Sequence, residues 1–201
     1  MQSIVNKTIS RIYGNGRGWA FSSNDFVDIY SKEQIDSALS YLAKNQTIRR
    51  VCRGIYDYPR YSALLEQILS PDIDQLAQAF ARKFNWRIQP TGDAALNLLG
   101  LSTQVPGRFK YLSDGPNRTY NLGNQTLEFE KSALKNFGFK HRESGLLVQA
   151  IKALGKNHIS NTEIEKVRKQ LDLTKSKQII KDTRLVTAWI HDYIKLIYSG
   201  N

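Results

Sequence analysis

The sequence has little cysteine, no long apolar run and a deficit of acidic side chains. Its 201 residues include one cysteine, Cys52, which excludes an intramolecular disulfide and a cysteine-rich zinc site. A bilayer-spanning helix needs about 20 consecutive apolar residues, and no run approaches that length. The first thirty residues carry Lys7, Arg11 and Arg17 without the apolar core of a secretory signal, so we expect a cytoplasmic protein that is not embedded in a membrane.

The residues typical of catalytic and metal sites are also scarce. The three histidines, His141, His158 and His191, are far apart in sequence, and none has a companion at the spacing of a metal site or a catalytic triad. The segment Gly14–Gly18 is rich in glycine but lacks the Lys-Ser/Thr ending of a phosphate-binding loop and follows a predicted helix, which favours a turn. We therefore expect no catalytic residues, no cofactor and no metal.

The charge of the chain is strongly positive. Lysine and arginine number 29 against 18 aspartate and glutamate, giving a net charge of +11 and a pI of about 9.7, a balance that favours a polyanionic partner such as nucleic acid. The excess lies in residues 1–60 and 141–201, whereas residues 61–140 are nearly balanced and rich in glycine and proline. This contrast predicts two domains, 1–60 and 61–201.

The first sixty residues have the pattern of three helices and a β-hairpin. A first helix is predicted over residues 2–13, and a short second helix over 22–29 begins with a capping serine. Ser31 and Gln34 form a capping-box pattern that opens a third helix, whose apolar positions recur at i, i+3, i+4 and i+7. Two β-prone runs within 47–58 flank a glycine and predict a hairpin.

Three helices followed by a basic hairpin are typical of a winged helix-turn-helix, in which the third helix enters the major groove and the hairpin follows the backbone. Polar side chains of the third helix are predicted to reach base edges, and arginines and helix-start serines to contact phosphates. The residues predicted to contact DNA are Arg17, Ser22, Ser23, Lys32, Gln34, Ser37, Tyr41, Lys44, Arg49, Arg50 and Arg53.

Two acidic residues of the third helix oppose this interpretation. Glu33 and Asp36 would repel phosphates, although glutamate also accepts hydrogen bonds from cytosine. The alternative is a non-enzymatic adaptor whose winged helix binds a protein partner and whose charge serves solubility. A third alternative, a nucleotide-using or RNA-modifying enzyme, lacks a catalytic cluster in the sequence.

Residues 61–201 predict a small α/β part, about 70–140, and a helical part, about 141–201. Ser70, Pro71 and Asp72 mark a helix start that leads to residue 84. Further helices are predicted at 93–99, 146–154, 161–171 and 176–198, the last with a break near Asp182, and strands at 86–89, 108–112, 119–122 and 126–130.

The helical part carries a basic band near its last predicted helix. Lys175, Lys177, Lys181 and Arg184 form this band, which is either a second surface facing nucleic acid or toxin, or a solvated helix face. The pattern alone leaves both interpretations open.

Three motifs resemble those of one known family. They are Arg53–Tyr56 (RGIY), Pro90–Pro106 (PTGDAALNLLGLSTQVP) and Leu112–Arg118 (LSDGPNR). They are similar to sequences of the AbiEi-type antitoxins of prokaryotic type IV toxin–antitoxin systems, and the resemblance spans most of the chain.

The resemblance implies a role in phage defence. It implies an N-terminal winged helix that binds double-stranded DNA repeats in its own promoter and represses transcription. It further implies a C-terminal part that counteracts a cognate nucleotidyltransferase-like toxin, directly or indirectly. The expected fold is α+β, a winged helix-turn-helix followed by a small α/β unit and C-terminal helices.

Overall fold

The computed structural model describes residues 2–104, 106–134 and 137–199. Val105, which belongs to the Pro90–Pro106 motif, lies outside them. The fold is mixed α+β, as predicted, with N-terminal helices, small sheets and C-terminal helices. The chain divides into two compact units, the first ending at Trp86 and the second beginning at Arg87.

The first unit contains three α-helices and two small antiparallel sheets. A three-stranded sheet has the order β1-β3-β2, and β4 pairs with β5 alone. The elements are α1 (Gln2–Asn15), β1 (Ala20–Phe21), a 3-10 helix (Ser23–Phe26), α2 (Lys32–Lys44), β2 (Arg49–Cys52), β3 (Ile55–Asp57), β4 (Tyr61–Ser62), β5 (Gln67–Ile68) and α3 (Ile73–Phe84).

Helix α2 corresponds to the predicted third helix and begins with the predicted capping box. The Gln34 N–H donates to Ser31 Oγ at 3.4 Å, and the Ser31 N–H donates to Gln34 Oε1 at 3.2 Å. These bonds satisfy two amides that a helix start otherwise leaves without partners. Ile35 and Leu39 are fully buried with Phe21 and other apolar residues. The opposite face of α2 is therefore turned to solvent.

Two helices differ from the prediction, one in its end and one in its cap. The second helix is a single 3-10 turn, Ser23–Phe26, and does not continue to residue 29. Helix α3 is capped by Asp72 instead of Ser70, because the Asp72 carboxylate accepts a hydrogen bond from the Gln75 N–H at 3.1 Å. A carboxylate at this position also interacts favourably with the helix dipole.

Helix α3 packs within the first unit, so this unit extends well beyond the boundary predicted at residue 60. The Arg82 guanidinium donates to Asp25 Oδ1 at 2.5 Å and to the Ala20 carbonyl at 2.7 Å. The Asn24 side chain donates to the Lys83 carbonyl at 2.8 Å. These bonds join the end of α3 to β1 and to the 3-10 helix.

In its described residues, the second unit combines a four-stranded sheet with five α-helices. The strand order is β6-β7-β9-β8, in which β7 and β9 are parallel and the other neighbours are antiparallel. The elements are β6 (Ile88–Pro90), α4 (Asp93–Leu98), β7 (Arg108–Ser113), β8 (Arg118–Leu122), β9 (Gln125–Lys131), α5 (Arg142–Leu154), α6 (Asn161–Arg168), α7 (Ser176–Asp182) and α8 (Ala188–Tyr198), with 3-10 turns at Lys156–His158 and Leu173–Lys175.

The C-terminal helices surround an apolar core. Leu147 of α5, Ile179 of α7 and Ile194 of α8 are fully buried in one cluster. The predicted break near Asp182 is confirmed, since α7 ends at this residue and α8 begins six residues later. No helix of the described ranges is both long and apolar enough to cross a membrane.

Candidate nucleic-acid interface

The exposed face of α2 carries most of the polar residues predicted to read base edges. Lys32, Ser37, Tyr41 and Lys44 are exposed. The Ser37 hydroxyl donates to the Glu33 carbonyl at 2.9 Å, which leaves its oxygen lone pairs as acceptors. These side chains are accessible to a groove of DNA laid against the helix.

Gln34 has a structural role at the helix start, because its Oε1 atom closes the capping box. The acidic residues Glu33 and Asp36 offset the charges of Lys32 and Lys44 on this helix. Helix α2 by itself therefore carries no net charge with which to attract a phosphate.

The hairpin pattern predicted that Arg49 contacts phosphate, but in the structure its side chain is engaged within the protein. Its guanidinium donates to both carboxylate oxygens of Asp57, at 2.9 and 2.6 Å, and to the Leu69 carbonyl at 3.0 Å. The Asp57 side chain is 2 % exposed and that of Arg49 is 30 % exposed. The pair joins β2 to β3 and to the segment after β5, so Arg49 is a structural residue.

Arg50 and Arg53 are the arginines of the hairpin that remain available. Both are exposed, and within the described part of the chain neither forms an ion pair. Arg50 pairs across the hairpin with Tyr56, and Arg53 immediately precedes Gly54, whose φ of +73° makes the turn. The hairpin thus presents two cations at and near its turn.

Lys83 of α3 is a further cation that the sequence analysis missed. Its ammonium donates to the carbonyls of Arg53 and Gly54 at 3.2 and 3.3 Å. Burial lowers the pKa of Lys83, and the charges of Lys32 and Arg53 lower it further, while Cys52 and Asp36 act in the opposite direction. Charges of both α2 and the hairpin affect the pKa of Lys83, so these two elements lie close enough to interact electrostatically.

The serines before the 3-10 helix lie in the interior. Ser22 is fully buried and Ser23 is nearly so. The Ser22 N–H donates to Asp25 Oδ2 at 2.8 Å, so a carboxylate already occupies this helix end. A phosphate cannot reach either side chain in this conformation, and the site predicted there is not formed.

Arg17 is exposed on the loop between α1 and β1. Its guanidinium lies 4.6 Å from the centre of the Tyr58 ring and donates to the Pro59 carbonyl at 2.9 Å. The side chain is therefore held against the segment that follows β3. A cation fixed in this way loses less conformational freedom when it contacts a phosphate.

The described residues contain no group of three or more histidine, cysteine, aspartate or glutamate side chains that could hold a metal ion. Cys52 is half-buried, and burial raises the pKa of its thiol despite the opposing charges of Lys83 and Arg50. The thiol form is thus favoured at neutral pH.

A family model described as a family of unknown function (DUF6088) matches residues 7–179. The chain belongs to the DUF6088 family. No curated protein matches it. The DUF6088 match includes α2, the hairpin and Lys83, together with the second unit as far as α7. The candidate interface therefore lies wholly within the part of the chain that defines the family.

Proposed function

We propose that this DUF6088 protein is a DNA-binding transcriptional autorepressor and the antitoxin of a type IV toxin–antitoxin system, without enzymatic activity. The observation that carries the DNA-binding part is a pair of exposed arginines, Arg50 and Arg53, that form no ion pair with the described residues. They lie on a hairpin whose turn accepts hydrogen bonds from Lys83. In this proposal the first unit is a winged helix-turn-helix, with α2 as the recognition helix and β2–β3 as the wing.

The dimensions and charges of these elements support such docking. An α-helix with its side chains is about 10–12 Å wide, and the major groove is about 12 Å wide. Ser37 and Tyr41 on the exposed face of α2 would meet base edges. Arg50 and Arg53 would neutralise phosphates and so supply the positive charge that α2 lacks.

The antitoxin part of the proposal is supported by the resemblance of Pro90–Pro106 and Leu112–Arg118 to AbiEi-type antitoxins. In the second unit the described residues of these motifs include α4 and the connection between β7 and β8. The Asp114 carboxylate accepts from the Arg87 N–H at 2.8 Å, and Asn117 Oδ1 accepts from the Lys131 N–H at 2.6 Å. The side chains of Asp114 and Asn117 therefore shape turns. The partner that we expect is a nucleotidyltransferase-like toxin, which the protein would counteract directly or indirectly.

DNA binding is tested with a labelled duplex from the region upstream of the gene, titrated at several salt concentrations. For Arg50→Gln/Arg53→Gln, the slope of log K against log salt should become shallower by about 1.8, because each phosphate contact contributes about 0.9. Lys152→Gln/Lys169→Gln, which removes the same charge from exposed positions of the second unit, should leave the slope unchanged. Equal slopes for the wild type and Arg50→Gln/Arg53→Gln would refute the proposal that the β2–β3 hairpin contacts phosphates.

The role of α2 is tested separately by sequence preference. Ser37→Ala and Tyr41→Ala should alter the footprint on the upstream region more than they alter affinity for random duplex. An unchanged footprint in both variants would show that α2 does not read bases. For the antitoxin role, a neighbouring nucleotidyltransferase reading frame should be toxic when expressed alone and tolerated together with this chain.

A protein-binding adaptor is the second candidate, and the connection of β4 and β5 favours it. Tyr61, Leu64, Leu65 and Ile68 expose apolar side chains there, and Leu64 is 92 % exposed. An exposed apolar patch of this kind is typical of protein contacts. Absence of any shift with upstream DNA, together with a partner whose capture requires Leu64 and Leu65, would favour the adaptor over the repressor.

A further inference from the structure

A cavity of about 520 Å³ in the second unit gathers three cations. Lys140 precedes α5, Lys181 lies in the last turn of α7, and Arg184 follows α7. All three are exposed, and within residues 2–104, 106–134 and 137–199 none of them forms an ion pair. The remaining lining residues are Gly138, His141, Gln178, Asp182 and Leu185.

The acidic residue of this cavity is engaged with the backbone. The Asp182 carboxylate accepts from the N–H groups of Lys140 and His141 at 3.1 and 2.9 Å. Burial opposes ionisation of Asp182, but the hydrogen bonds it accepts lower its pKa. One carboxylate facing three cations leaves the cavity positive. Like charges held in a concave surface repel one another and attract an anion, and phosphate groups suit such a site.

A second cavity, of about 490 Å³, lies along α8 and is aromatic. The half-buried rings of Trp189 and Tyr193 are 6.3 Å apart at 85°, and Leu196 beside them is exposed. The Tyr193 hydroxyl donates to the Lys156 carbonyl at 3.1 Å, which fixes the ring. Lys156 and Asp192 lie at the margin of this aromatic surface, and the Asp192 carboxylate pairs with Lys195 at 3.1 Å. A fixed aromatic surface of this kind is suited to stack a nucleobase.

The two cavities are neighbours along the chain. Leu185 lines the cationic cavity and Ala188 lines the aromatic one. Three residues span at most about 11 Å, so these positions lie within that distance of each other. Cations that follow the backbone, next to aromatic rings that stack bases, are the two components of single-strand recognition. In a duplex the faces of the bases are already stacked and cannot meet the rings.

We propose that the second unit binds single-stranded nucleic acid, with backbone phosphates in the Lys140–Lys181–Arg184 cavity and a base stacked against Trp189 and Tyr193. This binding differs in site and ligand from the duplex binding proposed for the first unit, and neither depends on the other. A protein partner is disfavoured because an apolar helix on Trp189 would leave the adjacent cations without partners.

The probe is a labelled oligouridine of about 12 nucleotides, titrated by fluorescence anisotropy against the full chain at several salt concentrations. In Lys181→Gln/Arg184→Gln the salt slope should become shallower by about 1.4, because a single-strand phosphate contact contributes about 0.7. Trp189→Ala should weaken binding by about 5- to 150-fold, the usual cost of losing one stacked base. Trp189→Phe keeps a ring, and should bind with near-normal affinity while losing most of the quenching of tryptophan emission by the bound strand.

Two control variants separate this site from general charge and from the wing. Lys152→Gln/Lys169→Gln should retain the wild-type slope, and Arg50→Gln/Arg53→Gln should still bind oligouridine. The proposal is overturned if the first control changes the slope as much as Lys181→Gln/Arg184→Gln does, or if the wing variant no longer binds oligouridine. Unaltered quenching in Trp189→Phe, equal affinity for uridine monophosphate and oligouridine, or no binding of oligouridine would each also overturn it.

Discussion

Replacing Arg49 by alanine should lower the free energy of unfolding of the first unit far more than replacing its neighbour Arg50 does. Arg49 makes two hydrogen bonds to a carboxylate, Asp57, that is 2 % exposed, and one to the Leu69 carbonyl. Its loss leaves a buried charge without its partner, which costs about 3–5 kcal/mol in buried pairs. Because the Arg49 side chain is 30 % exposed and water can partly replace it, we expect about 3 kcal/mol.

The measurement is urea unfolding followed by tryptophan emission. All variants carry Trp189→Phe, which removes the tryptophan of the second unit, so that emission comes from Trp19 and Trp86 of the first unit. Trp19 packs on Phe21, with ring centroids 4.7 Å apart. Arg50→Ala is the matched control and should change the free energy of unfolding by no more than about 0.5 kcal/mol, as exposed substitutions usually do. Arg49→Ala/Asp57→Ala should cost less than the sum of the two single changes, because the second change removes the unpaired carboxylate.

The reasoning is refuted if Arg49→Ala costs less than about 1 kcal/mol or if the two single changes are additive. The outcome also bears on the DNA-binding test. A variant that replaced all three arginines of the hairpin would also destabilise the first unit, so a loss of DNA binding would not report on phosphate contact alone. Only Arg50 and Arg53 report on contact with phosphate.

Three further predictions concern turns, packing and pH. Gly54→Ala should destabilise the first unit by about 1–3 kcal/mol in urea titrations, because φ is +73° and the new Cβ would lie 2.6 Å from the Lys83 ammonium nitrogen; wild-type stability would contradict this. Gly145→Ala should lower the unfolding temperature of the second unit, since its Cβ would overlap the Gln89 side chain, at a cost of about 1–3 kcal/mol; an unchanged temperature would show that Gln89 moves away freely. Burial raises the pKa of Tyr198 to about 12, with Glu143 and Asp172 adding to the shift. The folded state thus holds this proton more tightly than the unfolded chain, so stability should fall as pH rises from about 10 toward 12. Tyr198→Phe should reduce that fall, as measured by urea midpoints, and an identical pH profile would count against the shift.

The features that the sequence predicted correctly depend on a few adjacent residues. The Ser31–Gln34 capping box opens α2, and the strands predicted at 119–122 and 126–130 form β8 and β9. The break near Asp182 also follows from local pattern. Each signal acts within one helical turn or one hairpin, so a single sequence contains all the information it needs.

The features that the sequence analysis missed depend on partners far away in the chain. Arg49 is removed from the candidate interface by a buried aspartate eight positions on and by the Leu69 carbonyl. Lys83 donates a hydrogen bond to the hairpin turn 29 positions earlier, whereas the predicted boundary at residue 60 placed Lys83 and this turn in different domains. The parallel pairing of β7 with β9, around the intervening β8, is equally invisible to local periodicity. Local patterns predicted the helices, while long-range bonds decided which charges stay free.

The attachment of α3 has a consequence for synthesis of the chain. The bonds of Arg82 to Ala20 and Asp25 and of Lys83 to the hairpin turn close the first unit across up to 62 positions. A nascent chain that has emerged only as far as residue 60 contains α2 and the hairpin but none of these bonds. Since domains fold as units during translation, the surface proposed to bind DNA is completed only after Phe84 has left the ribosome. The shortest fragment worth expressing for DNA binding accordingly ends at Trp86.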